Sequence, residues 1–328
     1  MAGRTAGRSR RAWLRGLGRA AAAGAALGPA AAAIGAPAPH EPQPVGAAGA
    51  AGASPMDRRV VPATGRLLPV VGCGTWRTFD VGEAPEDRAR LAATLAALFD
   101  AGGSVIDTAP MYAPAERVVG ELLEQAGSRE RAFLATKVWT TGREAGIEQM
   151  RASMRLLRTA RLELMQVHNL VDWRTQLATL ESWKRDGRID HLGVTHYTPA
   201  AHDELESIVR ARRIDFLQVD YSIADRAAER RLLPAAAERG TAVIVNQPFG
   251  GGALLRTLSG RPLPGWAAEI GCASWAQALL KFVLAHPAVT CVIPGAGRPE
   301  HMRDNAAAGR GPLPDAALRA RMAAALQG

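Results

Sequence analysis

The sequence predicts an α/β fold, a single (β/α)8 TIM barrel that is opened by an N-terminal β-hairpin. Short apolar runs alternate eight times with amphipathic segments of helical periodicity. The predicted strands are apolar on both faces, which is typical of a parallel sheet covered by helices. The open sheet of a dinucleotide-binding domain is disfavoured, because Gly72-x-Gly74 is followed by Arg77 where that fingerprint needs its third glycine.

The elements follow one another in a regular order. The hairpin is predicted between Val60 and Val71, with its turn at Thr64-Gly65. The eight barrel strands are predicted at 70–74, 104–108, 132–138, 162–168, 190–195, 215–221, 242–247 and 290–294. The helices that cover them are predicted at 86–101, 115–126, 146–158, 173–186, 200–212, 227–239, 272–286 and 299–308, with a final helix near 314–326.

Chain length and charge narrow the class of protein. The 328 residues suit one barrel of roughly 250 residues with extensions. Six arginines without any acidic residue lie in the first forty positions, so the net charge of +9 falls to +3 (9 − 6) for the rest of the chain. A modest charge of this kind does not indicate a nucleic-acid partner.

The three cysteines Cys73, Cys272 and Cys291 are odd in number and lack Cys-x-x-Cys spacing. We expect buried thiols, no disulfide framework and no metal site.

The N-terminus is similar to an export signal. Ser9-Arg10-Arg11-Ala12-Trp13-Leu14-Arg15 resembles the twin-arginine motif, and an Ala/Gly stretch with cleavage options between about Ala31 and Ala38 follows. We therefore expect a signal-like leader at 1–38, a disordered Ala/Gly/Pro linker at 39–57 and the barrel at 58–328. The leader implies the export machinery as partner, an exported or periplasmic location and no stable membrane anchor. The alternative is translation from Met56, which would leave the protein in the cytoplasm.

Four reactive side chains follow the ends of adjacent predicted strands. Asp107 ends the second strand and Tyr112 stands on the loop after it, whereas Lys137 and His168 end the third and fourth strands. Taken singly, each has a structural explanation: a helix cap, a packed ring, a surface ion pair and a core histidine. Because active sites of such barrels lie at the carboxyl ends of the strands, the four together predict a catalytic site.

Their chemistry suits the reduction of a carbonyl group. A phenol with a pKa of about 10 is a poor acid unless a cation stabilises its phenolate, which Lys137 can do. A lysine in a partly dry pocket needs a counter-ion, which Asp107 can supply. Neutral His168 can hydrogen-bond the substrate oxygen, where negative charge develops as hydride arrives.

The motifs Asp107-Thr-Ala-x-x-Tyr112, Thr136-Lys137-Val-Trp139 and Gln166-Val-His168 resemble the Asp-Tyr-Lys-His tetrad of the aldo-keto reductase superfamily, and the similarity extends from about Val60 to Asn305. The resemblance implies an extended NADPH across the barrel mouth and no metal. It also implies Tyr112 as general acid, Lys137 and Asp107 as groups that tune it, and His168 as the residue that orients a small carbonyl or alcohol substrate.

By the same resemblance further positions are expected to contact ligands. The expected cofactor contacts are Gly74, Thr75, Thr195, His196, Gln218, Asn246, Pro248, Gly250, Gly295, Arg298, Asp304 and Asn305. The expected substrate-pocket residues are Trp76, Trp139 and Asn169.

Several of these positions depart from the family pattern. His196 stands where asparagine is usual, Asn246 where many members stack an aromatic ring on the nicotinamide, and Asn169 where some carry a tryptophan. Gly295 replaces a lysine of many NADPH-preferring members, which leaves Arg298 as the expected partner of an adenosine 2′-phosphate. NADPH is therefore the expected cofactor, and NADH remains possible.

The leading functional prediction is an NAD(P)H-dependent oxidoreductase that interconverts a carbonyl and an alcohol. One alternative is a cofactor-binding, redox-sensing subunit of the same fold with little turnover. Another is an unrelated barrel lyase or isomerase, which would bind no nicotinamide.

Overall fold

The structure, a computed structural model, describes residues 55–326. Within them, eight parallel strands are hydrogen-bonded in chain order and form the sheet of the barrel. The strands of this sheet are β3 (Cys73–Gly74), β4 (Val105–Asp107), β5 (Phe133–Val138), β6 (Leu162–His168), β7 (Ile189–His196), β8 (Phe216–Asp220), β9 (Ala242–Asn246) and β10 (Val289–Val292). The predicted fold class is confirmed.

The sheet closes between its first and last strands. The amide of Gly72 donates to the carbonyl of Val292 at 2.9 Å, and the amide of Val292 donates to the carbonyl of Val70 at 2.9 Å. Two residues after Gly72, the amide of Gly74 donates to the carbonyl of Pro294 at 3.1 Å. These bonds replace a regular ladder, so the first strand is only two residues long although 70–74 was predicted.

Helices cover the outside of the barrel. Their bounds are α1 (Pro85–Asp100), α2 (Ala115–Gln125), α3 (Arg143–Leu156), α4 (Trp173–Arg185), α5 (His202–Ala211), α6 (Leu232–Glu238), α7 (Ala253–Thr257), α8 (Trp266–Glu269), α9 (Trp275–Leu284), α10 (Pro299–Ala307) and α11 (Ala316–Ala324). The helix predicted at 227–239 begins later, at Leu232, after a 3-10 turn at Ala227–Glu229. Pro234 explains the shift, because proline is tolerated in the first turn of a helix and breaks its interior.

The N-terminal hairpin closes the end of the barrel at which the strands begin. Strands β1 (Arg58–Val60) and β2 (Leu67–Pro69) pair antiparallel around a turn in which Gly65 has a φ of 72°. Val61 and Leu68 are buried in the barrel interior against side chains from the starts of the strands, including Phe133 and Phe216. The hairpin therefore closes the end opposite to the predicted site.

Strand alternation divides the barrel interior into an apolar and a polar layer. Every second side chain of a strand points inward. The inward positions nearer the amino-terminal ends of the strands are apolar, as at Val105, Ala135 and Leu164. Two residues further along the same strands stand Asp107, Lys137 and Gln166, all buried. The carboxyl end of the barrel is therefore lined by polar groups inside an otherwise apolar core.

The leader at 1–38 and residues 39–54 of the linker lie outside the described residues, and the expectations for them stay predictions. Among residues 55–326, no helix is both long enough and apolar enough to cross a membrane. The three cysteines are buried and free, as predicted.

Candidate active site

A cavity of about 470 Å³ opens at the carboxyl ends of the strands. Asp107, Tyr112 and His168 of the predicted tetrad line it directly. The loop after β3 contributes one wall and the segment after β9 contributes another. The cavity therefore lies at the end where a barrel of this kind carries its reactive groups.

Lys137 and Asp107 form a fully buried ion pair at the base of the cavity. The ammonium donates to Oδ1 of Asp107 at 2.7 Å and to the carbonyl of Thr108 at 2.7 Å. Burial alone would lower the pKa of Lys137, but the negative charge of the paired Asp107 outweighs this and raises it above its usual value. Lys137 is therefore charged at neutral pH.

Tyr112 lies on the loop between β4 and α2, beside this ammonium. Its backbone amide donates to the carbonyl of Ala109 at 3.0 Å, in a turn that positions the side chain. The Nζ atom of Lys137 is 5.0 Å from the centre of the Tyr112 ring. Burial raises the pKa of Tyr112 and the charge of Lys137 opposes that effect, with a raised pKa as the net result. The free phenol is thus protonated, with a cation beside it.

His168 stands at the end of β6, opposite the tyrosine. The two rings are 6.0 Å apart at their centres and nearly perpendicular. Burial, together with the nearby charge of Lys137, lowers the pKa of His168 to about 3. The imidazole is therefore neutral at physiological pH and can donate a hydrogen bond from only one of its nitrogens.

An amide network surrounds Asp107 on its other side. Gln218 donates from Nε2 to Oδ2 of Asp107 at 2.8 Å and accepts from the hydroxyl of Thr195 at 3.1 Å. Nε2 of Gln166 lies 3.5 Å from the same carboxylate oxygen. Asp107 therefore receives hydrogen bonds from both sides, which fixes the counter-ion of Lys137 in one orientation.

Sequence reasoning missed a hydrogen bond that supports the tyrosine loop. Thr136, which precedes Lys137, donates to the buried carboxyl of Glu116 in the first turn of α2 at 2.5 Å. Burial raises the pKa of Glu116. This bond ties the helix that follows Tyr112 to the strand that carries Lys137.

Most of the predicted ligand contacts line the cavity. The lining includes seven of the expected cofactor contacts and two of the expected substrate contacts, namely Gly74, Thr75, Thr195, Gln218, Asn246, Pro248, Gly295, Trp76 and Asn169. Gly74 requires a glycine, because an added Cβ atom would lie 2.8 Å from the carbonyl oxygen of Ile293.

Six predicted contacts lie outside the lining of the cavity, of which three are His196, Trp139 and Gly250 and the other three belong to the segment 298–305. Nδ1 of His196 accepts from the amides of Tyr197 and Thr198 at 3.0 and 3.2 Å, in a turn that an asparagine oxygen would also support. Trp139 is exposed, and its backbone bonds to Gln149. Gly250 adopts a φ of 56° in the loop after β9.

The predicted adenosine-phosphate segment forms the start of α10. Arg298 is the N-cap residue, with its side chain 63% exposed and 3.6 Å from Glu300. Asn305 is buried. Asp304 accepts from Ser274 at 2.7 Å and from Gln277 at 2.6 Å, so its carboxylate holds the start of α9. The structure thus gives Asp304 a structural contact that sequence reasoning did not predict.

Loop residues that were not among the expected ligand contacts complete the lining. Arg77 and Thr78 come from the loop after β3, Met111 from the tyrosine loop and Tyr197 from the end of β7. Gln247, Phe249, Gly251, Gly252 and Leu255 come from the segment after β9, and Ile293 follows β10. Proximity to strand ends was the available signal, but it does not tell which loop side chains turn inward.

The cavity fits a nicotinamide group, because buried polar atoms of its lining residues lack hydrogen-bond partners. Oδ1 of Asn169, Oδ1 of Asn246 and Nδ1 of His168 are buried and have no partner among the described residues. Buried polar atoms are normally satisfied, and a bound ligand can satisfy these. A carboxamide presents a donor and an acceptor together, as an amide-lined site of this kind requires.

Comparison with known proteins agrees with the geometry. The Aldo/keto reductase family matches residues 70–323, which is most of the chain. The chain belongs to the aldo/keto reductase family. The expected hairpin, barrel and strand-end side chains are thus found in a member of the family that the motifs resemble.

Individual relatives extend over nearly the same region. The chain is 33% identical over 260 residues to methylglyoxal reductase YeaE of Escherichia coli, an alignment that covers 77% of the chain and 89% of that protein. It is 26% identical to an NADH-specific methylglyoxal reductase of the same organism, over 79% of the chain and 96% of that protein. A crystal structure of an aldo-keto reductase from Klebsiella pneumoniae in complex with NADPH is similar with a TM-score of 0.70 and 28% identity, over 83% of the chain and 95% of that one.

Proposed function

We propose that the chain is an NADP-dependent aldo-keto reductase that reduces an aldehyde or ketone to an alcohol, or catalyses the reverse, with Tyr112 as the general acid. The buried ammonium of Lys137 beside the Tyr112 ring is the observation that carries the proposal. Family membership and relatives named methylglyoxal reductase support carbonyl reduction. The structural neighbour with NADPH supports the cofactor.

The cofactor would be held at two places on this chain. Gln218, Asn169 and Asn246 would hold the carboxamide at the cavity, and the start of α10 with Arg298 would take the adenosine phosphate. The reduced nicotinamide supplies the hydride when it is bound. NADPH is the proposed cofactor, with NADH as the comparison because one relative is named as NADH-specific.

The side chains of this chain would handle the proton. His168, neutral by burial, donates a hydrogen bond to the substrate oxygen and orients the carbonyl. Tyr112 transfers its hydroxyl proton to that oxygen as negative charge develops there. Lys137 stabilises the resulting phenolate, and Asp107 keeps the lysine charged and in place.

The proposal is tested by mixing the purified protein with NADPH or NADH and a generic aldehyde, and following absorbance of the reduced cofactor. Cofactor binding is measured separately by quenching of tryptophan fluorescence. Turnover with NADPH is the expected result. Binding without turnover would instead favour the redox-sensing subunit, and failure to bind either cofactor would favour an unrelated lyase or isomerase.

We also propose that residues 1–38 direct export by a twin-arginine route to the periplasm or beyond. The support is the sequence itself, with Arg10-Arg11 ahead of a weakly apolar Ala/Gly stretch. A route that carries folded proteins suits a barrel that must receive its nucleotide in the cytoplasm.

A further inference from the structure

Arg77 is an exposed residue that lines the mouth of the cavity from an unusual backbone position. It lines the cavity in the loop after β3, and its φ is 60°, in the left-handed region. A residue with a side chain is strained there, and such strain is concentrated at functional sites. Two hydrogen bonds close the turn around Arg77, since the amides of Thr78 and Phe79 both donate to the carbonyl of Thr75, at 3.2 and 3.0 Å.

The guanidinium group of Arg77 has a stacking partner, and it has no counter-ion among the residues that the structure describes. Its central carbon lies 4.3 Å from the centre of the Trp76 ring. Within residues 55–326, no carboxylate comes within ion-pair distance of it. The acidic residue of the cavity lining, Asp107, is already bound to Lys137. The mouth of the cavity therefore carries one exposed positive charge that has no ion-pair partner among the described residues.

Apolar surface surrounds this charge at the cavity mouth. Trp76 is 45% exposed, Met111 40% and Tyr197 50%, and all three line the cavity. Large side chains exposed together at a mouth favour an apolar ligand body. An arginine fork presents paired donors that match a carboxylate or phosphate, and stacking on Trp76 orients the fork before a ligand arrives.

We propose that Arg77 binds an anionic group of the substrate, so that the preferred substrates are carbonyl compounds with an apolar body and a carboxylate or phosphate at the far end. This inference rests on the proposed function, because it assigns the substrate class of the same cavity. Arg77 binds the carboxylate or phosphate of the substrate, and the substrate carbonyl lies toward Tyr112 and His168.

The experiment compares two substrates of nearly equal shape, 4-carboxybenzaldehyde and its neutral methyl ester, in wild type and Arg77→Gln. Loss of a charge-assisted pair predicts a fall of about ten- to hundredfold in kcat/KM for the carboxylate, mainly through KM, and a change below about twofold for the ester. Arg143→Gln removes an exposed charge on α3 that pairs with exposed Glu144, and serves as the matched control. Arg77→Lys is expected to recover part of the selectivity, because it keeps the charge and loses the fork.

Equal losses for both substrates, or a selectivity that Arg77→Gln leaves unchanged, would overturn the inference. A weaker NADPH Kd without any change in selectivity would also overturn it, since Arg77 would then belong to the cofactor site. If wild type reduced neither aldehyde, the proposed function would fail on its own. Binding of 4-(hydroxymethyl)benzoate, followed by tryptophan quenching, then decides the anion site: weaker binding in Arg77→Gln supports it, and equal binding rejects it.

Discussion

The acidity of Tyr112 depends on a charge that the protein keeps away from water. Burial raises the pKa of the phenol, and the Lys137 ammonium is the group that opposes this. Lysine can remain charged in such a place only with a paired carboxylate and a backbone acceptor, here Asp107 and Thr108. Tyr112, Lys137 and Asp107 therefore act as one unit, and a substitution of any of the three affects both the stability of the protein and its chemistry.

Lys137→Met should leave Asp107 as a buried, unpaired carboxylate. The expected cost is about 3–5 kcal/mol of the free energy of unfolding, together with loss of most activity. The double variant Asp107→Asn, Lys137→Met should recover much of the stability and none of the activity. Urea unfolding and NADPH consumption measure the two effects. Equal stabilities of the single and double variants would show that the pair is not coupled as the structure indicates.

His168 links protonation to stability. Its pKa is about 3 in the folded protein and near 6.5 in the unfolded chain. Between these two pH values the imidazole is protonated in the unfolded chain and neutral in the folded protein. Stability should therefore fall as pH drops through the window, by on the order of 1 kcal/mol per pH unit from this group. His168→Asn should remove this contribution. Unfolding titrations between pH 7 and 5 would show it as a wild-type advantage that shrinks with acidity, and a constant difference would refute it.

The sequence predicts some residues of the site better than others, for a physical reason. Asp107, Lys137 and His168 lie near the ends of regular strands, where inward direction follows from alternation. Arg77 and Tyr197 lie on loops, and whether a loop side chain turns inward depends on local φ and ψ. The φ of 60° at Arg77 has no sequence signal, since non-glycine residues rarely adopt it.

Among the elements, the start of α10 is the one predicted to distinguish the two nicotinamide cofactors. The N-cap residue Arg298 precedes Pro299 at the first helical position, and its side chain is exposed beside Glu300 at 3.6 Å. Helix N-termini favour anions through free amides and the helix dipole. We expect the charge of Arg298 to add to this attraction for a 2′-phosphate.

Arg298→Gln should weaken NADPH binding and leave NADH binding unchanged. Loss of one charge-assisted contact on an exposed phosphate corresponds to a Kd about tenfold higher. Fluorescence titration with both cofactors measures it, and Glu300→Gln, which frees the arginine from its neighbour, is the companion variant. A similar change for both cofactors would place Arg298 away from the 2′-phosphate.

Element boundaries were predictable where periodicity is strong. Strand β6 was predicted at the same residues, 162–168. The short helices α7 and α8 were not predicted, because segments of five and four residues carry no readable hydrophobic period. They lie in the connection from β9 to α9, whose first part lines the cavity. The part of the sequence with the least periodic signal thus forms one wall of the site.

For the molecule as a whole, the closed barrel follows from eight strand–helix units with polar residues at the carboxyl ends of the strands. The hairpin with Val61 and Leu68 fills the opposite end, so the cavity opens on one side of the barrel. Fold class was predictable because closure needs only the number and order of units. The single hydrogen bonds around Gly72 and Gly74 that close the sheet could not be predicted from the sequence, because they depend on the local backbone conformation.

The leader prediction concerns the full chain in a cell. Replacing Arg10 and Arg11 together by lysine should stop export, and the mature wild-type protein should begin after a cleavage site between about Ala31 and Ala38. N-terminal sequencing and fractionation of cells measure both. A mature protein that begins at Met56 would instead support the cytoplasmic alternative.

The central claim is that Tyr112 protonates the substrate oxygen, and Tyr112→Phe tests it most directly. The variant keeps the ring that packs against His168 and removes only the hydroxyl. NADPH Kd, measured by tryptophan quenching, should stay within about twofold, whereas kcat should fall by about 10²- to 10⁴-fold, as expected for loss of a general acid. A variant that binds NADPH normally and keeps more than about a tenth of wild-type kcat would contradict the account.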